Sequence, residues 1–143
     1  MRALLLQLFI LVTRLKALPH HEITASQNNN IVKKFRILIG KNYTDLRMPN
    51  EYAALLCITP NRLNALCNHQ LGMSAGELIR NRLFLEAKRL LMNRDLTVAE
   101  ISGQLNFADN SYFSRAFKKH VGISPEDFRK KTLNNQYENY KYK

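Results

Sequence analysis

Tryptophan is absent from this chain, and glycine (5), proline (4) and cysteine (2) are scarce among its 143 residues. So few glycines and prolines leave little material for the turns of a β-barrel, a collagen-like strand or a loop-rich scaffold, which makes an all-α protein the default. Two cysteines, Cys57 and Cys67, exclude a disulfide framework, and with no C-x-x-C pair a zinc site is not expected either. They read as buried thiols behaving as small hydrophobes in a reducing, cytoplasmic compartment. Acidic residues are also in short supply: 11 Asp+Glu stand against 22 Lys+Arg, a net charge of +11. That balance favours a polyanionic partner, nucleic acid ahead of an acidic membrane surface, over a neutral or cationic one. Hydrophobic residues are not lacking. At 45% they supply a core and exclude wholesale disorder.

Nothing in the chain points to an enzyme. The four histidines (20, 21, 69 and 120) are scattered, no glycine-rich phosphate loop is present, and no nucleophile is paired with a base. No catalytic residue, metal ligand or cofactor is therefore expected. His69 and His120 fall toward helix C-termini, where a cationic side chain suits the dipole.

Residues 1–18 carry an apolar stripe at helical spacing, Leu4, Leu5, Leu8, Leu11, Val12 and Leu15. Arg14 and Lys16 follow the run at once, and it falls short of the ~20 apolar residues that a membrane span needs. It reads as an amphipathic packing or dimerisation helix ahead of a targeting segment, with a membrane-surface or protein-interaction module as the alternative function. Residues 19–30 end in a polar Asn run with no apolar period and read as a linker. Residues 1–30 hold three basic residues and one acidic one, so the remainder keeps +9. The basic character belongs to the body of the chain.

Within that body one pattern occurs twice. Tyr52–Leu66, running on to Gly72-Met73-Ser74, matches Ile101–Ala116, running on to Gly122-Ile123-Ser124. The offset is 50 residues from Leu63/Phe113 to Gly72/Gly122 and 49 at Ala53/Ser102, so one extra residue sits in the second turn. Each copy reads as helix, tight turn, helix. Thr97 to Glu100 forms a capping box, Thr59 and Pro60 open the second helix of copy one, and Gly72 and Gly122 close the two second helices. Asn106 suits a left-handed turn residue; Cys57, at the matching place, suits it less and predicts slight strain.

On the second helices, Leu63, Leu66, Cys67 and Gln70 share one side, with Asn61, Asn64, Ala65 and Asn68 opposite. In copy two, Phe113, Ala116 and Phe117 oppose Ser111, Ser114, Arg115 and Lys118. Amides match adenine N6/N7 and guanidinium matches guanine O6/N7 in the major groove. Between the copies, Ser74 to about Met92 reads as a stiff helix opened by a second capping box, Ser74 to Glu77. At 1.5 Å per residue it spans roughly 28 Å, near the ~34 Å between successive major grooves. After a short helix at Ser124–Phe128 come the basic triplet Arg129-Lys130-Lys131 and a polar tail over 132–143.

Leu90-Leu91, Asp95–Ile101, Asn106-Phe107, Ser111–Lys119 and Gly122–Arg129 together resemble the DNA-binding domain of the AraC/XylS transcription regulators, a bacterial family, over about Tyr43–Lys131. The resemblance implies an all-α fold: two helix-turn-helix subdomains over 31–131 joined by a long linker helix, with recognition helices at about 60–71 and 110–121. It implies sequence-specific double-stranded DNA binding and transcription regulation. Carried over position by position, base contact falls on Asn61, Asn64, Ala65, Asn110, Ser111, Ser114 and Arg115. Phosphate contact falls on Arg62, Asn68, Lys118, Lys119, Arg129 and Lys130. RNA polymerase, and a second copy through residues 1–18, are the further partners it suggests, with the nucleoid as location and no membrane. Ala65 stands where relatives carry a longer polar side chain, and Ser102-Gly103 replaces a bulkier pair, loosening the first helix of copy two. About 40 residues precede the domain, too few for a cupin-like sensor, so residues 1–18 read as the closing helix of one and the chain as a truncated regulator.

Overall fold

The computed structural model describes the backbone of residues 20–141 and the side chains of 24–135. The stripe at 1–18 lies outside the described residues. Seven helices occupy the described part: α1 (His20–Asn42), α2 (Pro49–Leu55), α3 (Pro60–Leu71), α4 (Ala75–Leu91), α5 (Val98–Gln104), α6 (Asn110–Val121) and α7 (Pro125–Lys141). None of the described helices is long and apolar enough to cross a membrane.

Two cores are stacked along α4. The first gathers Phe35 and Ile39 of α1, Tyr52 and Ala53 of α2, Leu63 and Cys67 of α3, and Ala75 and Ile79 from the start of α4. The second gathers Leu83, Phe84, Ala87 and Leu91 from the rest of α4 with Ile101, Leu105, Phe113 and Phe117. Helix α4 thus packs against every other described helix. It is the connector and also a wall of both cores. The repeat is accordingly longer than the two-helix pattern: α1 does for α2–α3 what α4 does for α5–α6, and Phe35 and Phe84 occupy corresponding places.

The two interhelical turns are built alike. Cys57 N–H reaches Ala54 O (3.1 Å) and Ile58 N–H reaches Ala53 O (3.0 Å). In copy two Asn106 N–H reaches Gly103 O (2.9 Å) and Phe107 N–H reaches Ser102 O (3.0 Å). These are paired C-terminal bonds that require a left-handed residue, and Cys57 (φ 54°) and Asn106 (φ 56°) supply it. Cys57 is exposed, against the expectation of a buried thiol, because the turn projects it outward; Cys67 is buried, and burial pushes its thiol up to about 11.

Capping follows the sequence closely. Thr97 and Glu100 form the reciprocal box, Thr59 accepts from Arg62 N–H (3.2 Å), and Gly72 and Gly122 are left-handed. At Ser74 the forward bond from Glu77 N–H is made (3.2 Å). Asp109, unremarked in the sequence, caps α6 by accepting from Tyr112 N–H (2.7 Å).

Two sequence expectations are corrected at the chain ends. Residues 20–30 belong to α1 instead of a linker, and residues 132–141 extend α7 instead of trailing as a tail. Both stretches lack glycine and proline, and each adjoins helix that is already anchored: Val32, Phe35 and Ile39 in α1, Phe128 in α7. Extending a nucleated helix fixes one residue per bond, so polarity alone does not stop it. The Thr132 hydroxyl donates to Phe128 O (2.9 Å), carrying the helix past the basic triplet.

Candidate nucleic-acid interface

Helices α3 and α6 are pinned by buried pairs four residues apart, Leu63/Cys67 and Phe113/Phe117. The geometry of a 100° step then turns the opposite arc outward. On α3 that arc exposes Asn61, Arg62, Ala65 and Asn68; on α6 it exposes Asn110, Ser111, Arg115, Lys118 and Lys119. Neither helix contains a carboxylate, so these donors and cations carry no internal neutralisation from their own helix.

Three side chains have partners within the fold that the sequence reading did not give them. Asn64 is half-buried, and its Oδ1 accepts from Ala75 N–H at 3.0 Å, satisfying an orphan donor at the first turn of α4. That bond competes with a bidentate adenine contact, which uses both ends of the amide. In copy two the residue matching Ala75 is Pro125, which has no N–H, so the half-buried Ser114 has no such duty. Arg129 likewise has partners within the fold. Its guanidinium donates to Leu91 O (3.1 Å) and Leu96 O (2.7 Å), closing the loop that follows α4. Lys130 stays exposed.

His120 is the third. Its ring stacks on Phe84 at 4.7 Å and 24°. Burial, with Arg80 and Lys88 nearby, holds its pKa below the ordinary 6.5 in spite of Glu77. Desolvation and like charges favour the neutral imidazole.

The sequence reading missed the contacts that join the two units. Tyr43 packs against both cores, and the Arg82 guanidinium lies 4.4 Å over its ring. Arg47, between α1 and α2, reaches across to the second turn. No periodicity marks these residues, since each sits at a helix end or on a mixed face.

The profile of a family described as a helix-turn-helix domain matches residues 52–131. The chain belongs to the AraC-type helix-turn-helix family. Among curated AraC-family relatives, the Msm operon regulatory protein of Streptococcus mutans is 31% identical over 118 residues, covering 82% of this chain and 42% of that protein. The chain spans less than half the length of the first such relatives it matches. Among solved structures, the C-terminal domain of AraT, a response regulator from Geobacillus stearothermophilus, is 31% identical with a TM-score of 0.65. The match covers 71% of this chain and 84% of that one. The DNA-binding domain of AdpA, solved in complex with a target DNA, shares the fold at 17% identity and a TM-score of 0.63, covering 72% and 93%. AraC-type domains of this kind bind DNA in transcription regulators, so the all-α, two-unit fold and the family point the same way.

Proposed function

We propose that this AraC-type chain binds a specific duplex by setting α3 and α6 into successive major grooves and so regulates transcription at the nucleoid. The supporting observation is the pair of matching helices, each fixed by two buried side chains and each turning an acid-free, hydrogen-bonding arc to solvent. Helix α4, with 17 residues, is about 26 Å long, commensurate with the ~34 Å groove repeat.

Asn61 and Ala65 read bases from α3, Ala65 through apolar contact with a thymine methyl. Asn110, Ser111 and Arg115 read from α6, with Ser114 at the edge of the contact. Arg62, Asn68, Lys118, Lys119 and Lys130 engage phosphate. RNA polymerase and a second copy through residues 1–18 are further partners, checked by pull-down with and without residues 1–18.

A random-library selection tests the reading. Two half-motifs about 10 base pairs apart, centre to centre, are the expected product. The four cationic phosphate contacts should give a slope of log K against log salt of about −3 to −4. A library that yields no enriched motif would reject sequence-specific binding.

A further inference from the structure

We propose that Arg47 is a positioning residue that fixes the spacing at which the two units read DNA, an inference that rests on the DNA-binding reading above. Arg47 stands immediately before α2, in the first unit, yet its guanidinium donates to Leu105 O and to Asn106 O (3.0 Å) in the second. The same group lies 4.2 Å over the Phe107 ring. In return Asn106 Nδ2 donates to Thr44 O at 3.5 Å. The strap is therefore reciprocal, and it grips the left-handed turn that sets the angle between α5 and α6.

The chemistry of the site explains why it is arginine. Leu105 is the C-cap of α5, so the carbonyls there sit at the negative end of a helix and lack intrahelical donors. A planar fork can bind two carbonyls and cover an aromatic face at once, which an ammonium cannot. Burial pulls the Arg47 pKa below its ordinary value, in keeping with a half-enclosed group.

The mechanical consequence follows from the connectivity. Helix α4 is a continuous covalent link between the units and a wall of both cores, so the units already share one rigid element. Arg47 adds an attachment off the axis of α4, beyond the Tyr43 contact, and it is the one that holds the turn leading into α6. Moving one half-motif by one base pair demands about 3.4 Å of translation and about 35° of rotation. Hydrogen bonds that hold only near 3 Å cannot follow such a step.

The test compares the wild type with Arg47→Ala and Arg47→Lys on the selected duplex and on duplexes with one base pair added to or removed from the spacer. The wild type should bind the altered spacers about 10–100-fold more weakly. In Arg47→Ala that penalty should fall below about threefold, while base preference within each half-motif and the salt slope stay as in the wild type. Arg47→Lys, which keeps the charge and loses the fork, should fall between the two and serves if the alanine variant does not fold. An undiminished spacer penalty in both variants, or in the lysine variant alone if only that one folds, overturns the proposal. Residual dipolar couplings on the free protein give a readout without DNA: the two units should keep a single relative orientation in the wild type and average over several in the variants. If no duplex is selected, the DNA-binding reading fails, whereas unchanged couplings in the variants defeat the role of Arg47 on its own.

Discussion

The two units share a frame but differ in what fills it. The second core is aromatic: Phe84, Phe107, Phe113, Phe117 and Phe128 contact one another at ring-centroid distances of 5.1–6.4 Å. The first replaces the Phe113/Phe117 pair with Leu63 and Cys67, leaving Phe35 against Tyr52 (5.4 Å) as its aromatic contact. Their outer faces differ in the same direction, with Arg115, Lys118 and Lys119 on α6 against Asn61, Arg62, Ala65 and Asn68 on α3. Even the turns differ, since both are left-handed but Asn106 adopts that backbone at less cost than Cys57. A repeated fold thus divides its labour. The second unit is the more aromatic inside and the more strongly charged outside; the first presents amides and an apolar side chain.

The largest effect that would break this comparison lies in the cores. Phe113→Ala should cost about 3–5 kcal/mol in urea unfolding, and Leu63→Ala about 2–5. A Phe113→Ala loss no larger than that of Leu63→Ala would mean that the aromatic core confers no extra stability. Next come the outer faces. Arg115→Ala should weaken binding about 10–100-fold for the preferred base at one position, and less for other bases there. Lys119→Ala should weaken every sequence alike and reduce the salt slope by about one. A uniform loss from Arg115→Ala in a competition assay would make it a phosphate contact instead.

Reciprocal turn substitutions sharpen the comparison. Cys57→Asn should raise stability by about 1 kcal/mol, and Asn106→Cys should lower it by a similar amount. The smallest effect concerns pH. The His120 pKa is depressed by folding, so its contribution is fully present above about pH 6.5 and is lost as pH falls through the lower folded value. An NMR titration should place its midpoint below 6.5, and His120→Gln should flatten stability against pH in that window. A midpoint above 6.5 would restore the cationic reading.

How much of this was legible beforehand varied with the range of the interaction. Turns and caps at Asn106, Cys57, Thr59, Thr97, Gly72 and Gly122 are local events governed by a few adjacent residues, and the sequence shows them directly. The apolar pairs on α3 and α6 follow from helical period. The functions of Asn64 and Arg129 did not follow, because polar side chains on a helix serve solvent, a ligand or a neighbouring backbone with the same chemistry. Only the placement of Ala75 N–H and of Leu91 and Leu96 carbonyls decides. Arg47 was invisible for the same reason: its partners lie 58 and 59 residues away.

The amino-acid order by itself determined the helices of the doubled motif, its basic character and the faces that α3 and α6 turn inward, since period, capping and charge act over one or two turns of chain. Which outward polar groups remain available, and how the two halves are locked together, was settled only by tertiary structure. Those outcomes depend on which distant backbone groups need a partner, and such needs exist only after the chain has packed.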